Sequence, residues 1–354
     1  MWLFIFSFLL AAGLAPLVIK FYRSRGWVDD PKHHPHAKVV HTQAVPRGGG
    51  VVVFGAILIA SLIFLDIDKY LIAILAGAGL LMFTGIWDDV KNIHPFIRLG
   101  VGILAGLVVV GSGIGIAYVS NPFGAGVIHL NQPQLAFWFN NQLHTIWIWA
   151  DIFALLFLVW NINIVNWSKG VDGQMPGFVS IAALMIGFLS YRFIDDPTQF
   201  NTAHLSFITA GAFAGLLVWN WYPQKIMPGY GAGSIAGFLL GVLAILSGAK
   251  VAAALMVLAV PTADAIFTIS RRIIAGKSPF WGDRGHLHHK LLDVLGWSKP
   301  QIAVLYWSSS FLLGFLSLYL NTWLKLITIS VVGATVFGFL IWAKLVSQNR
   351  THHI

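Results

Sequence analysis

The chain is 354 residues long, 57% hydrophobic and 10% charged, with a mean hydropathy of +0.78 and a formal net charge of +9. This composition excludes an ordinary water-facing globule and describes a surface that faces lipid. The positive charge is explained by loop topology and by attraction to anionic headgroups and phosphates, so no nucleic acid partner is expected. With no Cys in the sequence, disulfides and thiolate metal sites are excluded as well.

A membrane span needs roughly 20 mostly apolar residues to cross about 30 Å of hydrocarbon. Eleven stretches qualify, near residues 1–21, 49–66, 70–87, 97–119, 144–165, 174–191, 203–222, 233–248, 250–269, 301–320 and 322–345. Unpaired backbone groups are not tolerated in lipid, and the stretches lack the alternation of barrel strands. The expected fold class is therefore all-α, a polytopic membrane helical bundle of about 11 transmembrane helices forming a single integral-membrane domain over residues 1–354. The first stretch has no basic segment before it, while Lys20, Arg23 and Arg25 follow it, so it reads as a retained span and not a cleaved signal peptide.

Lys and Arg concentrate in cytoplasmic loops. The two most basic loops hold Lys20, Arg23, Arg25, Lys32, Lys38 and Arg47, and Arg271, Arg272, Lys277, Arg284, Lys290 and Lys299. An odd number of spans puts both on the inner side, with the N-terminus outside and the C-terminus cytoplasmic. The cytoplasmic loops then fall near residues 22–48, 88–97, 166–174, 222–233 and 270–300, in the cell inner membrane.

Polar clusters interrupt the apolar chain at those same loops. There is no Glu, so every carboxylate role falls to thirteen Asp. Asp88-Asp89 follows the third span. Two adjacent carboxylates repel unless something positive sits near them, and Mg²⁺ with substrate phosphates is one answer; a helix end with Asp capping the turn through Pro95 is another. Asn163 and Asn166 share a helix face at the end of the fifth span, and Gly170 and Gly173 let the backbone turn to present Asp172. Interhelical hydrogen bonding competes as an explanation for the Asn pair.

Met227 to Ser234 is a glycine-rich entry to the eighth span. It is read either as backbone N–H groups aimed at an anion or as a tight turn with close packing through Gly233, Gly237 and Gly241. Asp264 lies near the inner end of the ninth span, where an ionisable side chain should face a wet cavity or the bundle interior. His286-Leu287-His288-His289, with Arg284 just before it, supplies three imidazoles that suit a transition metal or a nucleotide diphosphate; a basic loop lying on anionic headgroups is the plainer reading. His33, His34, His36 and His41 sit in another basic loop, which ends Arg47-Gly48-Gly49-Gly50.

In this order the clusters resemble the polyprenyl-phosphate N-acetylhexosamine-1-phosphate transferases, the family of the WecA-like, TagO-like and MraY enzymes. Asp88-Asp89 matches the Asp-Asp motif of that family. Asn163, Asn166 and Asp172 match its Asn-x-x-Asn-x-x-Asp-Gly-x-Asp-Gly motif, and His286, His288 and His289 match the His-x-His-His motif of the WecA-like branch. Arg47-Gly48-Gly49-Gly50 and Arg271-Arg272 also look like family positions.

The resemblance implies transfer of N-acetylhexosamine 1-phosphate from a UDP-N-acetylhexosamine to a polyprenyl phosphate lipid, with release of UMP and with Mg²⁺ (Mn²⁺ as an alternative) as cofactor; a homodimer stays open. It implies Asp88, Asp89 and Asp172 as catalytic and metal residues. Asn163, Asn166, Lys169, Arg284, His286, His288, His289, Lys38 and Arg47 are implied for substrate, with Asp264, Gly231 and Ser234 in support. Two positions depart from the family: Lys169 replaces the first Asp of Asp-Gly-x-Asp-Gly, and Gly231 falls where an acidic metal ligand is expected. Either Lys169 partly replaces metal charge against the phosphates, or fold and substrate binding persist without transfer. A secondary transporter is the rival class, expected to carry mid-membrane charges and paired repeats.

Overall fold

The computed structural model describes residues 1–32, 41–121, 124, 126–139, 141–193, 195–196, 198–247, 250–278 and 283–351. The helices in chain order are α1 (Trp2–Ser24), α2 (Gly49–Phe64), α3 (Lys69–Lys91), α4 (Pro95–Gly111), α5 (Ile148–Trp167), α6 (Gln174–Ser190), α7 (Thr198–Asn220), α8 (Gly229–Leu246), α9 (Lys250–Val257), α10 (Ala259–Ile274), α11 (Leu287–Leu295), α12 (Lys299–Ser317) and α13 (Thr322–Thr351). Among the described residues seven helices are long and apolar enough to cross a membrane, or eight if α9 and α10 form one bent span. The chain is thus a polytopic membrane bundle. The expectation of eleven full spans is met less evenly: α2 and α4 are apolar but shorter, with 16 and 17 residues.

The all-α expectation is corrected by three short antiparallel pairs. Strands β1 (Val28–Asp29) and β2 (Val45–Pro46) pair within the first basic loop. Strands β3 (Tyr118–Ser120) and β4 (Val127–His129) pair where α4 was expected to continue, and β5 (Gln134–Phe139) with β6 (Gln142–Trp147) forms a hairpin ahead of α5. Aromatic and β-branched side chains favour this extended form, and Asn141 turns the chain at a φ of 57°.

The bundle is built around α8, whose residues from Gly229 to Ala244 are all buried. Glycine allows its approach: a side chain on Gly237 would collide with Asn161 O and Ile162 of α5, and one on Gly211 or Gly215 of α7 would collide with the backbone of α1. In lipid, such backbone proximity supplies the dispersion contacts that water would otherwise drive. Hydroxyls and an indole add links from α7 to α1 and α6, with Ser7 Oγ donating to Ile208 O at 2.8 Å, Ser180 Oγ to Ala210 O at 2.9 Å and Trp219 Nε1 to Ala12 O at 2.9 Å.

The ninth apolar stretch is broken: α9 and α10 meet at Leu258 with a bend of 82°. Pro261 has no N–H to give to Val257 O, the acceptor one turn earlier. Ser310 Oγ of α12 donates to that carbonyl instead, at 3.2 Å. The break therefore has a local cause, and it carries α10 and Asp264 away from the axis of α9.

Candidate active site

Asp88 and Asp89 end α3 in different surroundings. Asp88 is 4% exposed, and its Oδ1 accepts from Ile93 N–H at 3.1 Å and faces Arg98 Nε at 3.4 Å. It ties the α3–α4 turn together, as capping predicts, but buried and not solvated. Asp89 is half-buried; its Oδ1 has no hydrogen-bond partner of good geometry among the described residues, and the Tyr22 hydroxyl of α1 lies close enough to interact with the carboxylate.

Three chain segments close around Asp89. Gly229, at a φ of 63°, opens α8 so tightly that a side chain there would strike Arg47 O and the Asp89 carboxylate. Arg47 bonds Asp29 Oδ2 at 2.7 Å. Gly49 N–H is spent on Met227 O at 3.1 Å, so the glycine-rich entries of α2 and α8 face each other instead of presenting all their donors to an anion. Lys169, from the α5–α6 turn, donates from its ammonium to Gly229 O. Burial pulls the Lys169 pKa down to about 7; Asp88 and Asp89 pull it back up, while Arg98 and Arg47 push it lower. A carboxylate pair and three cations thus share one pocket.

The second part of the site is the histidine motif at the start of α11. Asp264 on α10, 1% exposed, accepts from Leu287 N–H at 2.8 Å and bonds His286 Nδ1 at 2.9 Å, which fixes both the helix entry and the first imidazole. Asp283 is gripped by Arg271 Nη2 at 2.7 Å and 2.8 Å, by Arg272 Nε at 3.2 Å and by Gly285 N–H at 2.8 Å. Burial pushes the Asp283 carboxyl up, but the hydrogen bonds from Arg272, Arg271 and Gly285 outweigh it and hold it well below the usual carboxylate range.

The rings of His286 and His288 stack at 5.6 Å, and those of His288 and His289 lie 4.3 Å apart. Burial first, then neighbouring imidazoles and Arg284, keeps His288 well below its ordinary value. Burial, with Arg284 next in weight, brings His289 down to about 4. Both are therefore neutral near pH 7 and can donate or accept, and their Nδ1 atoms have no partner in the structure.

Gly170 joins the two parts. His288 Nε2 packs directly on it, where any side chain would collide, so the turn that carries Lys169 to the acid pair also touches the imidazoles. Asp172, from the same turn, goes elsewhere: Oδ1 meets Lys299 Nζ at 3.3 Å and Oδ2 accepts from Gln224 N–H at 3.1 Å. Gly173, at a φ of 75°, gives its N–H to Asn220 Oδ1 at 3.0 Å, which is why the turn needs glycine after Asp172.

The other predicted residues are placed unevenly. Asn166 reaches Gly233 of α8 with its Oδ1 buried and unpartnered, whereas Asn163 Nδ2 bonds Val159 O at 2.8 Å within its own helix. Ser234 Oγ likewise bonds back to Tyr230 O at 2.8 Å. Gly231 meets Gly50 of α2 and Gly85 of α3 backbone to backbone; a Cβ on Gly231 would stand 3.1 Å from Gly50 Cα. Arg284 pairs with Asp293 at 2.7 Å on the exposed side of α11. Lys38, His33, His34 and His36 lie outside the described residues.

Arg98, Lys299, Tyr22 and Tyr230 are site residues that sequence reasoning passed over. Arg98 pairs with Asp88 and lies 5.7 Å from the Tyr230 ring, whose hydroxyl donates to Arg98 O at 3.1 Å. Its place ten residues past Asp88, across a short turn, was the one available signal.

The Mg²⁺ implied by the resemblance is poorly matched by these donors. Lys169 occupies the pocket, Asp172 is held by Lys299, and Gly231 brings no carboxylate. Among the described residues no group of three or more His, Cys, Asp or Glu is arranged to hold a metal ion.

Taken together, a helical membrane bundle gathers carboxylates, cations and neutral imidazoles at one set of helix ends, which defines a membrane-embedded enzyme handling phosphates. The pattern of Glycosyl transferase family 4 matches residues 71–248, half of the chain, and the chain belongs to that family of phospho-sugar transferases acting on polyprenyl phosphates. It is 27% identical over 321 residues to the decaprenyl-phosphate N-acetylglucosaminephosphotransferase of Mycolicibacterium smegmatis, covering 80% of this chain and 75% of that one. It is 24% identical over 354 residues to the probable undecaprenyl-phosphate N-acetylglucosaminyl 1-phosphate transferase of Bacillus subtilis, covering 98% and 90%. Similarity extends to the phospho-N-acetylmuramoyl-pentapeptide-transferase of Bacillus subtilis, 26% identical over 332 residues, covering 90% and 96%.

Proposed function

We propose that this chain transfers N-acetylglucosamine 1-phosphate from a UDP-sugar to a polyprenyl phosphate at the cytoplasmic face of the inner membrane, initiating a surface glycan. In the reaction an oxygen of the lipid phosphate forms a bond to the sugar-bearing phosphorus, and the bond from that phosphorus to the bridging oxygen breaks, so that UMP leaves. The eleven-segment topology, with the N-terminus outside and the C-terminus inside, belongs to this reading because it brings every polar cluster to one side.

The observation that carries it is the unpartnered Asp89 Oδ1 beside Lys169, one turn of chain from the His288 contact at Gly170. A buried carboxylate oxygen without a donor is costly unless a substrate proton or donor meets it. Asp89 is assigned to orienting and deprotonating the lipid phosphate. Lys169, Arg98 and Arg47 screen the repulsion between two phosphorylated reactants. His288, His289 and Asn166, each with an unpartnered polar atom, hold the UDP-sugar, and Asp264 positions His286. The donor is taken to be the plain N-acetylhexosamine and not a peptide-bearing sugar, because the motif has the His-x-His-His form and two of the three relatives named above are N-acetylglucosamine transferases.

A second reading, substrate binding without transfer, is favoured by Lys169 and Gly231 alone. Purified protein given radiolabelled UDP-N-acetylglucosamine and polyprenyl phosphate separates the two. Lipid-linked product with stoichiometric UMP supports transfer, and bound nucleotide without product, in buffers with and without Mg²⁺, overturns it.

A further inference from the structure

We propose that the Lys169 ammonium is the resident counter-cation of the Asp88–Asp89 pair, and that this site binds substrate phosphates without a divalent ion. The inference rests on the phosphate-handling role given above, and four observations carry it.

The first is position. The Lys169 ammonium is pinned by Gly229 O, and Gly229 itself lies against the Asp89 carboxylate, so the charge is held at the wall of the pocket by a bond between the α5–α6 turn and α8. Among the described residues it forms no ion pair within 4.0 Å with either carboxylate, so it acts on Asp88 and Asp89 through space and not by direct contact.

The second is charge. Counted as formal charges, Asp29, Asp88 and Asp89 are balanced by Arg47, Arg98 and Lys169. A divalent ion would enter beside three formal cations, with Asp89 Oδ1 the one fully buried carboxylate oxygen left without a partner among the described residues. An incoming phosphate does the opposite: it adds negative charge among Lys169, Arg47 and Arg98 and is drawn to them.

The third is that further acidic ligands are closed off. Asp172 is committed to Lys299 and Gln224 N–H. The fourth is Gly231, where α2, α3 and α8 touch through Gly50, Gly85 and Gly231, so that this position serves close packing and not coordination. A small hard dication with strict octahedral demands is badly served by what remains, whereas an ammonium needs only acceptors and nearby negative charge.

Mn²⁺ binding, read by its electron paramagnetic resonance signal, and UMP binding, read by calorimetry, test this on the full-length protein in detergent. Wild type is expected to show no stoichiometric Mn²⁺ site, with or without UMP, and a UMP affinity that changes by less than about twofold between excess Mg²⁺ and EDTA. Lys169→Asp is expected to gain a Mn²⁺ site and to bind UMP about tenfold or more tightly with the metal than without it. One Mn²⁺ per wild-type chain, lost in Asp89→Asn, would overturn the proposal, as would UMP binding abolished by EDTA. If Lys169→Asp does not fold, the wild-type measurements still decide. If UMP binds under no condition, the phosphate-handling reading fails while the Mn²⁺ signal still judges the counter-cation.

Discussion

Around the histidine motif, each carboxylate has its acceptors filled: Asp264 by His286 and Leu287 N–H, Asp283 by Arg271, Arg272 and Gly285 N–H, Asp293 by Arg284. There the open atoms are nitrogens, His288 Nδ1, His289 Nδ1 and Arg271 Nε, whereas around Asp89 a carboxylate is left open as well. One carboxylate oxygen, the Tyr22 hydroxyl, Asn166 Oδ1 and Arg98 Nε are buried without hydrogen-bond partners, although opposite charges crowd the pocket. The two regions use the same residue types to different ends. Filled acceptors make a clamp that holds imidazoles in place, and empty ones mark where a polar ligand completes the structure.

Substitutions can break this contrast or sharpen it, and the largest effect belongs to the empty side. Asp89→Asn should lower transfer by about 100-fold or more, as loss of a positioned base does, while membrane insertion and the thermal transition stay close to wild type. Full turnover in a radiolabelled product assay would remove Asp89 from the reaction. On the filled side the order of effects is inverted. Asp264→Ala strands two buried donors and should cost about 3 kcal/mol of stability, seen as a lower unfolding temperature, together with weaker UDP-sugar binding.

Gly85→Ala tests the contact of α2, α3 and α8 at Gly231. The added methyl meets Gly231 Cα and should cost about 1–3 kcal/mol by overpacking, in an assay of denaturation by detergent. Acid should act on the clamp. His288 and His289 titrate below their ordinary value of 6.5, so from pH 6.5 down to about 4 the unfolded chain binds more protons, and stability falls as the pH falls. Replacing both with Gln should flatten that slope in a pH series of thermal unfolding. The smallest effect is expected at the exposed rim, where Asp293→Ala removes a pair with Arg284 and should change stability by no more than about 1 kcal/mol.

Much of this arrangement was visible in the sequence, because polar clusters stand out against an apolar background and most of the apolar stretches fall on helices, although 97–119 runs past α4 into β3, 144–165 begins in β6 and 250–269 is split between α9 and α10. Asp88-Asp89, the Asn166 to Asp172 segment and the His motif were found that way, and the structure links them through Lys169 and Gly170. What stayed hidden depends on partners distant in sequence. Nothing in the local pattern marks Lys299 as the partner of Asp172, Tyr22 as the neighbour of Asp89, or Ser310 as the donor to Val257 O. Gly231 was legible as an odd residue at an acidic position, but its reason, a three-helix contact with Gly50 and Gly85, exists only in three dimensions. The strand pairs were missed because their alternation is blurred by side chains that are apolar on both faces.

The break at Leu258 makes α10 a lever. From Ala259 to Arg272 its axis runs about 20 Å, so a change of about 10° in its tilt would swing the far end by about 3 Å. Asp264 rides partway along that arm, holding His286, while Arg272 near its tip bonds Asp283. The imidazoles of α11 are consequently positioned through an element turned sharply from α9, and the spacing between His288 and Gly170 depends on that bend as well as on the contact itself.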